Sequence, residues 1–238
     1  MSHRIFLAGA AGVIGRRLTP LLRSAGHTVI GTTRTAQGAD TLRALGAEAA
    51  VVDVFDADAL TCAAVAARPD IVMHQLTDLA MLHDPATRDE AVARNARIRR
   101  EGTRNLVQAA HAAGARRLVA QSIAWIYAPG ALPHTEQDPL DTSGSGPTAG
   151  AVAALEQQVL DAAPIEGVVL RYGLFYGPGS NDAPVHPVAV HVDAAAHAAL
   201  LALDHGHGIY NIADANDQVT SDKARAELGW RADFRLPS

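Results

Sequence analysis

The sequence has 238 residues, 48% of them hydrophobic, and this length suits one α/β domain or one domain that carries a small lobe. Its formal net charge of −5 provides no basic surface for nucleic acid, and no apolar run approaches the roughly 20 residues that span a bilayer. The lone cysteine, Cys62, excludes a disulfide within the chain, and the absence of room for a signal peptide before the first strand predicts a cytoplasmic location.

The first predicted element is a strand that leads through a glycine-rich turn into a helix. An apolar run at residues 5–8 precedes three glycines spaced three residues apart, and a helical pattern follows to residue 26. Gly9 permits a tight turn, Gly12 lets a pyrophosphate approach the backbone, and Gly15 lets the helix pack against the strand. The N–H groups at the helix start are then expected to face the phosphates. The residues predicted to contact a dinucleotide are Gly9, Ala11, Gly12, Val13, Ile14 and Gly15.

The second predicted strand, residues 28–32, ends beside Thr33 and Arg34. An NAD-selective site usually places an acidic residue here, which accepts a hydrogen bond from the ribose 2′-hydroxyl. A 2′-phosphate instead requires hydroxyl donors and a cation, and a guanidinium matches its oxygens bidentately. Thr33 and Arg34 therefore predict NADP(H) as the preferred cofactor, with NAD(H) as the alternative; in the opposing interpretation Arg34 is an exposed loop arginine.

Asp53 and Val54 follow the third predicted strand, residues 49–52. In open parallel α/β sheets this position lies beside the adenine of a bound dinucleotide. We expect Asp53 to accept a hydrogen bond from the exocyclic amine and Val54 to pack on the ring. The alternative for Asp53 is the N-cap of a helix predicted at residues 56–67, a role that Asp56 or Asp58 would fill equally well.

The fourth predicted strand and its exit cover residues 71–77. The carboxyl ends of strands in such sheets line the ligand crevice, so Gln75, Leu76 and Thr77 are candidates for cofactor contact. His74 lies within the apolar run, and we interpret it as a hydrogen-bonded core histidine rather than a catalytic one.

A long helix is predicted at residues 89–113. Asn95 is a polar residue on its buried stripe, whereas the arginines at positions 94, 97, 99, 100 and 104 are interpreted mostly as a solvated face.

The fifth predicted strand covers residues 117–121, and a loop rich in Pro and Gly begins after Gly130. The remaining elements are predicted as helices at residues 149–162, 191–203 and 221–228 and strands at residues 167–171 and 208–212.

The chain resembles the extended short-chain dehydrogenase/reductases, the group known as NAD-dependent epimerase/dehydratases. The resemblance rests on motifs that run through nearly the whole chain: Gly9-Ala-Ala-Gly12-Val-Ile-Gly15, Asp53-Val54, Glu101-Gly102-Thr103-Arg104-Asn105-Leu106, Gln121-Ser122 through Tyr127, Leu170-Arg171-Tyr172-Gly173, Tyr176-Gly177-Pro178-Gly179 and Tyr210-Asn211-Ile212.

The resemblance implies a Rossmann-type, doubly wound parallel α/β sheet of about seven strands with a small C-terminal substrate lobe. Residues 1–165 would form the dinucleotide-binding core, and residues 166–238 would supply the last core strands interleaved with the lobe. It also implies that the ends of the fifth and sixth strands border the cofactor, and the residues concerned are Gln121, Tyr172, Gly173 and Leu174.

The chain departs from the family where the chemistry takes place. The family's acid/base is a tyrosine with a lysine four residues later, and the resemblance places these positions at Thr148 and Val152. The only lysine in the sequence, Lys223, lies in the tail. Ser122 is the remaining catalytic candidate, although the family's serine position falls on Ile123 and Ser122 points to the other side of a regular strand.

A missing general acid slows a reductase by about 10²–10⁴-fold without forbidding hydride transfer. A ketone conjugated to a phenol can leave the negative charge as a phenolate, which assists the reaction. We therefore predict an NAD(P)H-dependent ketoreductase for an aromatic polyketide-like ketone, similar to ketoreductases of bacterial antibiotic biosynthesis such as the one that acts on the angucyclinone of simocyclinone. Trp125 and Tyr127 are expected either to stack on a flat substrate or to fill the core.

Two other functions stay open. A nucleotide-sugar epimerase or dehydratase would use Tyr127 or His191 as its base, and a non-catalytic regulator would only sense NADP(H). The histidines of the second half lack the Cys or carboxylate spacing of a metal site, so no metal is predicted. The sequence leaves the oligomeric state open.

Two junctions, at residues 179–185 and 214–221, are shorter than in the family, whose members build the substrate lid from these segments. Either the lid has been lost or its segments lie outside this sequence, and the intact flanking motifs favour the second interpretation.

Overall fold

The computed structural model describes residues 1–78, 86–143 and 147–237. Its strands in chain order are β1 (Arg4–Ala8), β2 (Thr28–Thr33), β3 (Glu48–Val51), β4 (Ile71–His74), β5 (Arg117–Ile123), β6 (Glu166–Tyr172), β7 (Leu174–Tyr176), β8 (Ala189–His191) and β9 (Gly208–Ile212). Seven of them form one sheet in the order β3-β2-β1-β4-β5-β6-β9, and every neighbouring pair is parallel. The strands β7 and β8 form a separate parallel pair.

The α-helices of the described residues are α1 (Val13–Ser24), α2 (Ala36–Ala44), α3 (Ala57–Ala67), α4 (Arg88–Arg97), α5 (Thr103–Ala112), α6 (Pro147–Leu160) and α7 (Val192–Leu201). A π-helical segment, Ile98–Gly102, joins α4 to α5, and a second one spans Ala224–Leu228. No helix within the described residues combines the length and apolar character needed to cross a membrane.

Helices cover both faces of the sheet. Because side chains on both faces are then buried, the sequences of the strands are nearly continuous apolar runs. On one face, Ile5 and Leu7 of β1 belong to a core that includes side chains of α1, α2 and α7. On the other face, Phe6 belongs to a core with side chains of α3, α5 and α6. The alternation along β1 therefore divides its side chains between two hydrophobic cores.

The direction of strand order reverses at β1, which pairs with β2 on one side and β4 on the other. Connections leave the sheet on opposite faces at such a point, and a crevice forms outside the carboxyl ends of the strands. The predicted Rossmann-type fold with seven parallel strands is confirmed. The boundary at residue 165 stays a prediction, because β6 and β9 of the second half complete the same sheet.

Four parts of the structure differ from the predicted elements. Helix α2 and the strand pair of β7 and β8 were not predicted. The helix expected at residues 89–113 contains a π-helical turn, and the tail helix is π-helical over Ala224–Leu228. Both short junctions are bridged by hydrogen-bonded turns, in which Gly177 donates to the carbonyl of Asn181 and Asn216 accepts from Gln218.

Candidate functional site

The turn after β1 has the backbone geometry that its glycines predict. Gly9 has a φ of +86°, which strains other residues, and a Cβ there would lie 2.5 Å from the carbonyl carbon of Gln75. The N–H of Gly12 donates to the carbonyl of Gly9 at 3.0 Å and closes the turn. A Cβ on Gly15 would lie 2.5 Å from the carbonyl oxygen of Ala10, so the start of α1 can approach this loop only at a glycine.

The first turn of α1 exposes N–H groups that no side chain caps. Gly12 occupies the N-cap position, and the first turn contains no acidic residue. Uncapped N–H groups and the positive end of the helix dipole together favour an anion. The backbone of Ala11, Gly12, Val13 and Ile14 therefore fits the pyrophosphate of a dinucleotide.

The end of β2 presents Thr33 and Arg34 next to each other. Thr33 is half-buried and its Oγ1 accepts from the N–H of Thr35 at 3.4 Å, whereas Arg34 is exposed. Within the described residues, Arg34 has no ion pair, so its guanidinium is accessible to a phosphate of a ligand.

The structure separates the two roles predicted for Asp53. Asp56 caps α3, because its carboxylate accepts from a backbone N–H three residues later at 3.0 Å. The Oδ1 of Asp53 accepts from the N–H of Phe55 at 2.9 Å, and the rest of this side chain stays exposed. Val54 is half-buried beside it. Asp53 and Val54 thus remain available for the adenine contact.

A crevice of about 830 Å³, part of it open to solvent, lies at the exits of β4, β5 and β6 and the start of α6. Several residues predicted for the cofactor or the chemistry line it together: Leu76, Thr77, Gln121, Ser122, Trp125, Thr148, Tyr172, Gly173 and Leu174. Lining residues outside the predicted set are Val92, Asn95, Arg99, Ile123, Leu155 and Phe175.

Two buried side chains next to this crevice keep unpaired polar atoms. Within the described residues, neither polar atom of the Gln75 amide nor the hydroxyl of Tyr172 has a hydrogen-bond partner. Burial raises the pKa of the Tyr172 phenol well above its ordinary value, and the nearby Gln75 amide opposes this shift without reaching hydrogen-bond geometry. Buried polar groups of this kind are usually satisfied by water or ligand, so both residues suit contact with a bound cofactor.

His74 is a hydrogen-bonded core residue, as predicted. Its Nε2 lies 3.0 Å from the Oγ1 of Thr103, and its Nδ1 accepts from the N–H of Leu76 at 3.2 Å. Burial, followed by the positive charge of Arg99, lowers the pKa of this imidazole to about 4. The ring is therefore neutral in the folded protein at neutral pH.

The low pKa of His74 predicts a loss of stability in acid. The unfolded chain binds the proton near pH 6.5 and the folded chain only near pH 4, so stability is full above pH 6.5 and falls as the pH approaches 4. We expect up to about 3 kcal/mol of this fall to come from His74. Urea unfolding at both pH values measures it, and His74→Gln should flatten the fall whereas exposed His111→Gln should not. An unchanged slope in His74→Gln would contradict the assignment.

A buried network links β5, α6 and β6. Arg171 donates from Nε and Nη2 to the two carboxylate oxygens of Glu156, at 2.9 and 2.6 Å. Ser122 donates its hydroxyl proton to Glu156 Oε1 at 2.7 Å. Tyr127 accepts from Arg171 Nη1 at 2.8 Å and donates to Asn211 Oδ1 at 2.6 Å. The single hydroxyl proton of Ser122, the catalytic candidate, is therefore already engaged.

The two positions where the resemblance places a tyrosine and a lysine carry neither an acid nor a base. Thr148 lines the crevice, and Val152 is fully buried. Lys223 lies among other elements, where its Nζ donates to the carbonyl of Ile209 at 2.9 Å and lies 4.4 Å from the ring centroid of Tyr210.

The two residues predicted to meet a flat substrate differ in position. Trp125 is 37% exposed and lines both the crevice and a neighbouring cavity of about 550 Å³. Tyr127 lines only that neighbouring cavity, and its ring stacks on His134 at a centroid distance of 4.9 Å. Trp125 is thus the one of the pair that borders the crevice.

The prediction that Arg99 belongs to a solvated face is wrong. Arg99 lies in the π-helical segment, is half-buried and lines the crevice. The prediction treated the arginines of this stretch as one solvated group. One signal was present in the sequence: Arg99 follows the buried Asn95 by four residues, a spacing that puts both on one face of a helix.

Within the described residues, no group of three or more His, Cys, Asp or Glu side chains is placed to hold a metal ion.

Comparisons with known proteins find relatives by sequence and by fold. A model of the NAD dependent epimerase/dehydratase family matches residues 5–219. A 3-diazoavenalumate denitrifying reductase from Streptomyces sp is 47% identical over 184 residues, covering 75% of this chain and 58% of the reductase's own length. A dTDP-4-dehydrorhamnose reductase from Streptomyces griseus is 29% identical over 228 residues, covering 95% of this chain and 67% of that protein.

Among solved structures, the UDP-glucose 4-epimerase of Thermotoga maritima has the same fold. It matches with a TM-score of 0.82 at 19% identity, over 99% of this chain and 94% of that chain.

Proposed function

The chain belongs to the NAD-dependent epimerase/dehydratase family, and on that basis we propose that it is an NAD(P)H-dependent reductase of a small aromatic substrate. One observation carries the proposal. The crevice combines predicted cofactor residues with Thr148 at one position of the expected acid/base pair, and Val152 at the other position is buried. A site of this kind suits hydride transfer to an acceptor that needs no proton from the protein.

The residues at the switch point fit an NAD(P) cofactor. The uncapped start of α1 would hold the pyrophosphate, and the unpaired amide of Gln75 and hydroxyl of Tyr172 would meet polar atoms at the nicotinamide end. When bound, the nicotinamide supplies the hydride. The backbone of Gly173 and Leu174 would fix its position at the crevice.

An aryl diazo compound is the acceptor class that we place first. When an aryl diazonium group accepts one hydride, the net products are an arene C–H bond and N₂, so the charge balances without any proton. The relative at 47% identity is named a denitrifying reductase of a diazo compound, which supports this class.

A phenolic ketone of the polyketide type is the second class of acceptor. Hydride addition to its carbonyl leaves an alkoxide, which takes the phenol's own proton through solvent and leaves a phenolate. The reaction again needs no protein acid, which agrees with a Ser122 hydroxyl proton that is donated to Glu156.

A cofactor-consumption assay tests the proposal. Purified protein and NADPH are mixed separately with an aryl diazonium carboxylate, a phenolic polycyclic ketone and dTDP-4-dehydrorhamnose, with enzyme-free mixtures as controls. We expect NADPH loss with release of N₂ from the diazo compound, and a fall of less than about tenfold in Ser122→Ala. Tight cofactor binding without turnover of any acceptor would favour a non-catalytic NADP(H) sensor instead.

A nucleotide-sugar enzyme is the second candidate, because the match to the dTDP-4-dehydrorhamnose reductase covers 95% of this chain. An epimerase or dehydratase would need a base, and both candidates already hold structural hydrogen bonds. Burial raises the pKa of Tyr127, whose hydroxyl is engaged on both sides. His191 caps α7 through Nδ1, and burial lowers its pKa. If the assay showed turnover of dTDP-4-dehydrorhamnose and of neither other acceptor, the nucleotide-sugar enzyme would become the first candidate.

Selectivity for NADP(H) is proposed to depend on Arg34. Its exposed guanidinium would bind the 2′-phosphate, so Arg34→Ala is expected to weaken NADPH binding by about 10- to 100-fold and to leave NADH binding unchanged. Titration calorimetry with both cofactors measures the difference. The exposed Arg43→Ala is the control, and equal losses for NADPH and NADH would contradict a phosphate contact.

A further inference from the structure

Arg99 is a cation in the crevice that has no partner among the described residues. The carboxylates of the described residues form no ion pair with it, and its guanidinium makes no hydrogen bond to them. No Asp or Glu lines the crevice, and Arg99 is the single charged residue among the lining side chains of the described chain.

The buried arginines of the described residues, Arg117 and Arg171, each donate several hydrogen bonds. Arg117 donates to the carboxylate of Glu166 and to three backbone carbonyls, and Arg171 donates to Glu156 and Tyr127. A cation that leaves water without gaining a partner is destabilising, and burial already lowers the pKa of Arg99 to about 10. At neutral pH it keeps its charge, so an anion that enters the crevice would gain a ready counter-ion.

We propose that the guanidinium of Arg99 binds the carboxylate of an aromatic carboxylic acid that occupies the crevice. The inference rests on the proposed reductase function and names its substrate class. A guanidinium pairs bidentately with a planar carboxylate, and Trp125 offers a flat apolar surface in the same crevice.

Neighbouring residues favour a carboxylate over a phosphate. The described lining residues provide one positive charge, which matches a single negative charge better than a phosphate dianion. The amide of Asn95 cannot supply further donors, because its Nδ2 already donates to the carbonyls of Asp78 and Ala91. The phosphate cradle at Gly12 and Val13 does not line this crevice, so Arg99 is not part of it.

A binding experiment that needs no turnover tests the assignment. Cinnamate and its neutral analogue cinnamamide are titrated into protein saturated with NADP⁺. We expect the wild type to bind cinnamate about 10- to 100-fold more tightly than the amide, and Arg99→Gln to bind both equally. Arg99→Lys should restore part of the preference, and the exposed Arg104→Gln is the matched control.

The melting temperature separates binding from a structural role. Because Arg99 has no partner within residues 1–78, 86–143 and 147–237, Arg99→Gln should melt at or above the wild-type temperature. Any of three results would overturn the assignment. Arg99→Gln could melt below the wild-type temperature, or it could lose affinity for NADP⁺ by the same factor as for cinnamate. The wild type could also bind cinnamate no more tightly than cinnamamide. Carboxylate discrimination that depends on Arg99 in a protein that reduces no acceptor would refute only the reductase function.

Discussion

Gly15→Ala is expected to abolish tight binding of NAD(P)H. The backbone of Gly15 is helical, so alanine is not strained there, and the effect comes from space alone. Its Cβ would lie 2.5 Å from the carbonyl oxygen of Ala10 and still closer to that of Gly9, and both obstacles are backbone atoms. The start of α1 must therefore move away from the loop, and its N–H groups are then no longer placed to donate hydrogen bonds to the pyrophosphate.

The expected size follows from the hydrogen bonds that are lost. A hydrogen bond to a charged group contributes about 1.5–3 kcal/mol, so losing two raises the Kd for NADPH at least about 100-fold. Calorimetric titration of NADPH measures the Kd, and circular dichroism checks that the fold persists.

Gly102→Ala is the matched control for Gly15→Ala. Gly102 also lies in a helical segment, but its Cβ would meet only side-chain atoms, those of Val54 at 3.4 Å or more and of Ile98 at 3.8 Å, and these are ordinary contacts. We expect its Kd for NADPH to stay within about threefold of the wild type. If Gly15→Ala behaved in the same way, the glycine loop would not be the cofactor site.

The glycine loop and the strand exits could be predicted because their signals are local. The spacing of Gly9, Gly12 and Gly15 marks positions where a side chain would prevent the backbone from approaching another group closely. The carboxyl ends of parallel strands must meet at one edge of the sheet. The apolar run around His74 likewise predicted its burial, and the hydrogen bond to Thr103 confirms that it is a core residue.

Contacts between distant parts of the chain left no comparable signal. Tyr127 and Asn211 are 84 residues apart, and nothing near either residue indicates that they share a hydrogen bond. The family resemblance makes Ser122 a catalytic candidate, but whether its proton is free depends on Glu156 from α6. Only the packing of α6 on the sheet decides that question.

Helix α2 and Arg99 were missed because their patterns are weak or interrupted. Helix α2 buries only Ala39 and Leu42 and contains Gly38, so its sequence shows little helical periodicity. Arg99 stands among other arginines, and averaging over a cluster of charges favoured solvent. A position-by-position comparison with Asn95 would have separated it from its neighbours.

Glu156→Ala is expected to destabilise the fold by about 3–5 kcal/mol, since removing one partner of a buried ion pair leaves the other charge uncompensated. Arg171 and Glu156 expose only 4% and 6% of their side chains. Burial alone lowers the pKa of the Arg171 guanidinium, but the hydrogen bonds and charge of Glu156 outweigh it and raise the pKa above its ordinary value. A domain of ordinary stability has about 5–15 kcal/mol in total, so this single change removes a large part of it.

Urea unfolding at neutral pH measures this loss of stability. A double variant tests whether the uncompensated charge of Arg171 causes it. The double variant Glu156→Leu with Arg171→Met removes both charges, and we expect it to recover most of the stability, because well-packed apolar side chains replace such pairs at little net cost. The control is Asp40→Asn, which breaks an exposed ion pair with Arg43. The side chain of Asp40 is 77% exposed and that of Arg43 is 60% exposed. We expect this change to alter the free energy of unfolding by less than about 0.5 kcal/mol. If the double variant were as unstable as Glu156→Ala, the uncompensated charge of Arg171 would not be the cause, and the loss of the hydrogen bonds to Ser122 and Tyr127 would be.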